Sequence, residues 1–338
     1  MPASAAVYGC EGAELTPEER AFFRDVRPLG FILFARNCVD PRQIRALVSA
    51  LRETAGDARA LIFIDQEGGR VSRLKPPHWR MRPAARRFGD LYKTDPAAAR
   101  DAAYLCARLI AHDLESLGVN ADCAPVLDVP SPGAHDIIGD RAFSTDAASI
   151  IALGRAVLEG LLDGGVLPVV KHIPGHGRAT ADSHVALPRV EASRDVLSAS
   201  DFVTFRSLNQ APIAMTAHVV FETIDPQRPA TTSPRVVRDV IRGEIGFDGL
   251  LLSDDLSMAA LDGPLRARTK AALFAGCDIA LHCNGRLDEM KDVAREAKPL
   301  AGLALARADA ALAHLHPPVP LDIAAAEARL AAIMGAFA

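Results

Sequence analysis

The sequence predicts an α/β fold, a single (β/α)8 TIM-type barrel with its active site at the C-terminal ends of the strands. Three observations carry this expectation. Short apolar runs alternate with amphipathic segments along the whole chain. The apolar runs are continuous rather than alternating, which marks strands covered on both faces, as in parallel sheets. Several runs also end in a polar residue that a packed core would not select, and in such a barrel all strand C-termini open on one mouth.

The runs predicted as strands are AAVYG near 5–9, GFILFAR at 30–36, ALIFID at 60–65 and NADCAPVLDV at 120–129. They continue with VLPVVKH at 166–172, PIAMTAH at 212–218, GLLLSD at 249–254 and CDIALHC at 277–283. Helical patterns lie between most of them. DPAAARDAAYLCARLIAHDLESLG offers Asp95 as N-cap and Pro96 at the first helical position, and Gly118 ends it. Ser233 to Gly246 repeats that logic. No internal repeat or charged linker interrupts the chain. One domain over 1–338 is expected, with a C-terminal helical extension over about 299–338 after the last strand.

Composition narrows the function classes. The 338 residues are 49% hydrophobic and 24% charged with net charge −4, so no basic footprint for nucleic acid or an anionic membrane exists. No stretch approaches the roughly 20 apolar residues that span a bilayer. The N-terminus lacks a signal-peptide pattern, and the six cysteines are scattered without a CxxC pair. A cytoplasmic protein with reduced cysteines is the expectation.

The chemistry gathers at the strand ends. Asp65 closes one run, Lys171 and His172 another, His218 a third and Asp254 a fourth. The segment KHIPGHGRATADSH, 171–184, holds three of the ten histidines. His172 and His176 have a zinc-binding helical spacing, but Pro174, Gly175 and Gly177 break such a helix and Lys171 repels a cation. No phosphate loop or G-x-S-x-G serine motif is present. Neither a metal nor a cofactor is therefore expected. Acid–base chemistry is left. Asp182 and His184, two apart in an extended loop, project to one side, where the carboxylate can fix the imidazole tautomer. A carboxylate at Asp254 facing that proton donor is the minimum apparatus for cleaving a glycosidic bond.

These motifs resemble family 3 glycoside hydrolases, specifically the single-domain Gram-negative β-N-acetylglucosaminidases. The resemblance runs through GFILFARN, IDQEGGRVSRL, APVLDV, IGDRAF, KHIPGHGRATADSH, MTAHVVF, GFDGLLLSDDLSM and AGCDIALHCN. It implies that Asp254 is the catalytic nucleophile and His184 the general acid/base, paired with Asp182. It also implies that Asp65, Arg73, Arg141, Lys171 and His172 bind the sugar, with Met258 on the pocket wall. The implied substrate is a small carbohydrate, GlcNAc-anhydroMurNAc and its peptides, cleaved in peptidoglycan recycling without an obligate protein partner. Asp255 and His176 are expected to be structural, and Asp128 and Asp140 are candidate partners of the cations. His218 has no assigned role. Ile173 stands where phenylalanine is commoner, and DFVTFRSL lacks a usual proline, departures that concern packing. Two other readings use the same residues: a phosphorylase, with phosphate as acceptor, and a catalytically silent sugar-binding barrel.

Overall fold

The structure, a computed structural model, describes residues 2–183 and 186–335. Strand β1 (Ser4–Tyr8) leads through helix α1 (Pro17–Val26) to β2 (Pro28–Leu33), and α2 (Pro41–Ala55) leads to β3 (Leu61–Ile64). Two helices, α3 (Ala85–Tyr92) and α4 (Pro96–Glu115), precede β4 (Ala121–Asp122), and α5 (Ala147–Asp163) precedes β5 (Leu167–Ile173). A short β6 (Arg189–Val190) and α6 (Arg194–Ser207) follow, then β7 (Ile213–Thr216) and β8 (Val220–Phe221). A wide helical segment at Val236–Glu244 leads to β9 (Leu250–Leu252), α7 (Leu265–Ala275) and β10 (Ala280–His282). Helices α8 (Leu287–Ala294), α9 (Gly302–Leu312) and α10 (Ile323–Gly335) come last.

Among the described residues, eight strands form one parallel sheet in the order β10-β1-β2-β3-β4-β5-β7-β9. A parallel bridge from Leu252 to Ile279 joins its two ends, so the sheet closes as the (β/α)8 barrel the sequence predicts. Closure explains the unbroken apolar runs. Leu61 and Phe63 of β3 belong to the apolar cluster that also takes Val7, Val169, Ile213 and Leu250, which fills the barrel. Their neighbours Ile62 and Ile64 join the second cluster, shared with Leu47, Leu51, Leu109 and Leu114 of the surrounding helices. Both faces of each strand are thereby withdrawn from water.

The caps behave as their chemistry requires. The Asp95 side chain accepts from the Ala98 amide at the start of α4, and α4 stops at Glu115, three residues before Gly118 at φ +79°. The predicted helix over 233–246 instead widens to π-type turns, with the Ile245 amide on Val240 O. The run at 120–129 is strand for only two residues. Pro125 has no N–H to give to the ladder, and pairing resumes where the Leu127 amide reaches Lys171 O.

The C-terminal stretch is tied down at both ends of its path. The Leu300 amide donates to Ala3 O, and Ala308 and Ala311 of α9 join the barrel-filling cluster. Further on, buried Arg82 pairs with Glu327 of α10 at 2.9 Å, which docks that helix beside α4.

Candidate active site

Three barrel strands and their following loops build one continuous chain of charges. Asp65, the residue after β3, receives Lys171 Nζ at 2.7 Å on one oxygen and Arg73 Nη2 at 2.9 Å on the other. Lys171 also reaches Glu67 at 2.7 Å, and Glu67 receives the Arg141 guanidinium through two bonds, 2.8 and 2.9 Å long. The order is therefore Arg73–Asp65–Lys171–Glu67–Arg141. Fork-to-carboxylate pairing of this kind fixes orientation as well as charge.

Burial by itself would raise the Asp65 carboxyl, but the charges of Lys171 and Arg73 hold it well below the usual carboxylate range. Glu67 is likewise raised by burial, yet Lys171 and Arg141 bring it down to about 2. Lys171 lies above its ordinary value because Asp65 and Glu67 outweigh its burial. Asp65, Glu67 and Lys171 therefore stay ionised at neutral pH.

The next layer holds the histidines. A register shift in β5 between Lys171 and Ile173, relative to β7, lets the successive residues Lys171 and His172 both line the cavity. His172 Nδ1 lies 2.7 Å from Asp128, whose other oxygen accepts the His176 amide at 2.7 Å. Asp128 thus orients the imidazole. Asp140 departs from expectation: it pairs with Arg70 at 2.7 Å, because Glu67 already occupies Arg141. His176 is buried and its Nε2 meets Ser183 Oγ at 3.1 Å. Burial, and then the neighbouring His172, push His176 down to about 4. Gly177 is required here, since a Cβ would sit 2.2 Å from Val129 O.

Asp254 follows β9 by two residues. Its amide donates to Thr216 Oγ1 at 3.2 Å, and its Oδ1 accepts the Asp255 amide at 2.8 Å. The Asp255 carboxylate accepts from Ser257 twice and from the Cys283 amide, the structural task expected of it. Met258 lies on the cavity wall. Asp182 is described and half-buried. His184 lies outside the described residues, so the Asp182–His184 pair stays an expectation. Ser183, between them, is buried, and its carbonyl accepts from the Ala260 amide at 3.2 Å.

These groups line a cavity of about 220 Å³ at the strand C-termini, shared by Asp65, Arg73, Arg141, Lys171, His172 and Asp254. It can seat a small polar ligand and surround it with fixed charges. No cluster of three or more His, Cys, Asp or Glu suited to a metal occurs among the described residues. Among those residues, too, no helix is long and apolar enough to cross a membrane.

Two acids beneath the cavity escaped sequence reasoning. Glu67 stands two positions after Asp65 in DQEGG, and three expected cations against one expected anion were the signal for it. Asp122 is fully buried, with one oxygen on the Gln66 amide at 2.9 Å and the other without a partner. Burial raises its pKa to about 7. A carboxyl raised above its unfolded value favours the protonated fold. That stabilisation is complete below the unfolded value of 3.8 and is lost as pH rises through 7. Asp122→Asn, which mimics the protonated acid, should therefore stabilise the protein more at pH 8 than at pH 5, by about 1–3 kcal/mol. Thermal unfolding at the two pH values checks this; an equal Tm difference at both would refute it.

Residues 13–316 match the glycosyl hydrolase family 3 N terminal domain. The chain belongs to that family and is a glycoside hydrolase. A β-hexosaminidase of Alkalilimnicola ehrlichii is 43% identical over 282 residues, 82% of this chain and 80% of its own length. Native NagZ from Neisseria gonorrhoeae superposes with a TM-score of 0.88 at 30% identity, covering 99% of this chain and 98% of its own. NagZ from the same organism, solved in complex with N-trifluoroacetyl-D-glucosamine, gives 0.87 at 30% identity over 99% of both chains.

Proposed function

We propose that this hydrolase is a retaining exo-β-N-acetylglucosaminidase. It removes terminal N-acetylglucosamine from 1,6-anhydro-muropeptides in the cytoplasm, as part of peptidoglycan recycling within a single catalytic domain. The observation that carries the reading is the shared cavity: Asp254, Ser183 of the D-S-H segment and the five-residue charge chain all line it or adjoin it. Relatives named β-hexosaminidase, and a NagZ complex with an N-acylated glucosamine, support the sugar.

In the first step Asp254 attacks the anomeric carbon and the glycosidic C–O bond breaks. The leaving oxygen takes its proton from His184. In the second, His184 removes a proton from water, whose oxygen displaces Asp254 as the free carboxylate. Two inversions give net retention. Asp65, Arg73, Arg141, Lys171 and His172 hold the ring, with the ion pairs keeping each group in place before substrate arrives. Phosphate as acceptor is disfavoured, because Lys171, Arg73, Arg141 and Arg70 are each already ion-paired.

His184→Ala provides the test. General acid–base assistance is worth about 10²–10⁴-fold. That loss should appear in kcat/KM for a substrate with a poor leaving group and nearly vanish for a dinitrophenyl glycoside, whose oxygen needs no proton. For that activated substrate azide should restore kcat and give the β-glycosyl azide. Equal losses on both substrates would remove His184 from the proton-transfer role. Product formation only in the presence of phosphate would convert the reading to a phosphorylase.

A further inference from the structure

His218 ends the MTAH motif, is fully buried, and touches neither the cavity nor the charge chain. Its two ring nitrogens are both engaged. Nδ1 lies 2.7 Å from Thr231 Oγ1, and Nε2 lies 2.9 Å from the backbone carbonyl of Asp255. Thr231 Oγ1 is in turn 2.8 Å from Thr216 Oγ1, which accepts the amide of Asp254 at 3.2 Å. Thr216 and Thr231 are also fully buried. The contacts thus leave the Asp254–Asp255 dipeptide at its amide and return to it at its carbonyl.

Proton counting gives this ring a direction. A backbone amide only donates, so Thr216 Oγ1 accepts from Asp254, and it donates to Thr231 once the Thr231 proton is committed to His218. At the other end a carbonyl only accepts, so His218 Nε2 carries the proton. Nδ1 of a neutral imidazole is then an acceptor, and it takes the Thr231 hydroxyl proton. Each of the two hydroxyls then accepts once and donates once along the ring, and the Asp255 carbonyl, which also accepts the Met258 amide at 3.1 Å, closes it. The rival partner for that hydroxyl is Ala217 O at 3.1 Å. Choosing it would leave Thr231 accepting from both neighbours and require a doubly protonated His218. None of the hydrogen bonds of His218 reaches a carboxylate, and an unpaired cation in a dry site is costly.

We propose that His218, Thr231 and Thr216 form a directed hydrogen-bond circuit that fixes the backbone carrying Asp254, so that His218 is a positioning residue for that carboxylate. The proposal rests on the reading of Asp254 as nucleophile. Buried chains with one direction polarise each other and resist rearrangement. The Asp255 carboxylate, held separately by Ser257 and Cys283, anchors the loop beyond.

The experiment follows covalent labelling of the nucleophile by a 5-fluoro-N-acetylglucosaminyl fluoride, read by mass spectrometry of the labelled peptide, alongside kcat and KM. Misplacing a reacting group by about 1 Å costs on the order of 10²-fold. Thr231→Val and Thr216→Val, which break different links with little change of shape, should each slow labelling and kcat by about 10–100-fold with KM within about twofold. Thr231→Ser and Thr216→Ser, which keep the hydroxyls, should label at near wild-type rate. Labelling of both valine variants at the wild-type rate would overturn the circuit, as would serine variants as slow as the valine ones. A wild-type label on a residue other than Asp254 is a different failure, since it removes the nucleophile reading and the circuit's purpose with it.

Discussion

Asp254→Ala is expected to lower kcat by about 10⁴–10⁶-fold, the range seen when a covalent nucleophile is removed. The protein should stay folded, since the Asp254 side chain is half-buried at the mouth and its backbone contacts are unchanged by the substitution. With Asp254 as the proposed nucleophile, the space vacated by the carboxylate faces the α side of the sugar. Azide entering it would attack the anomeric carbon directly, with one inversion, and yield the α-glycosyl azide from a β-glycoside. The same anion acting on a variant that still forms glycosyl-enzyme gives the β product. The anomeric configuration by NMR therefore identifies which displacement Asp254 performs. More than about a tenth of wild-type activity in Asp254→Ala, or a β azide from it, would end the assignment.

The barrel was legible because its physics is local. Runs such as LIFI are apolar at every position since each face of the strand meets a different cluster, and Asp65, Lys171 and Asp254 stand out as polar groups at the ends of such runs. Partnerships across the barrel were not legible. Asp65 and Lys171 are 106 residues apart, and His218 and the Asp255 carbonyl are 37 apart. No periodicity connects them. Asp122 sits within an apolar run, and only closure of the sheet shows that its carboxyl is fully buried with a free oxygen. Glu67 could have been found by charge balance, because burying Lys171, Arg73 and Arg141 around one carboxylate would leave cations unpaired. The strand expected over 120–129 fails for a local reason that was available, the missing amide of Pro125.

The charge chain leads to the second large effect, in Lys171→Met. Lys171 is 2% exposed and is the central link between Asp65 and Glu67. Methionine fills much the same volume but leaves two buried carboxylates facing each other, each with only its outer arginine. Removing one partner of a buried ion pair costs about 3–5 kcal/mol, so the urea midpoint should fall sharply at neutral pH. The sign of the pH dependence follows from Glu67. Its folded value of about 2 lies below its unfolded 4.5. The stability it contributes is present above 4.5 and is lost as pH falls through 2. Without Lys171 the carboxyl rises and that contribution shrinks, so the gap between variant and wild type should be wide at pH 7 and should close only as pH falls from 4.5 toward 2. Adding Glu67→Gln to Lys171→Met removes the repulsion and should recover part of the stability at pH 7 without restoring kcat/KM, because the sugar contact proposed for Lys171 is still missing. A variant as stable as wild type at pH 7, or a gap that does not narrow toward pH 2, would mean that Lys171 is not the element that keeps the two acids ionised.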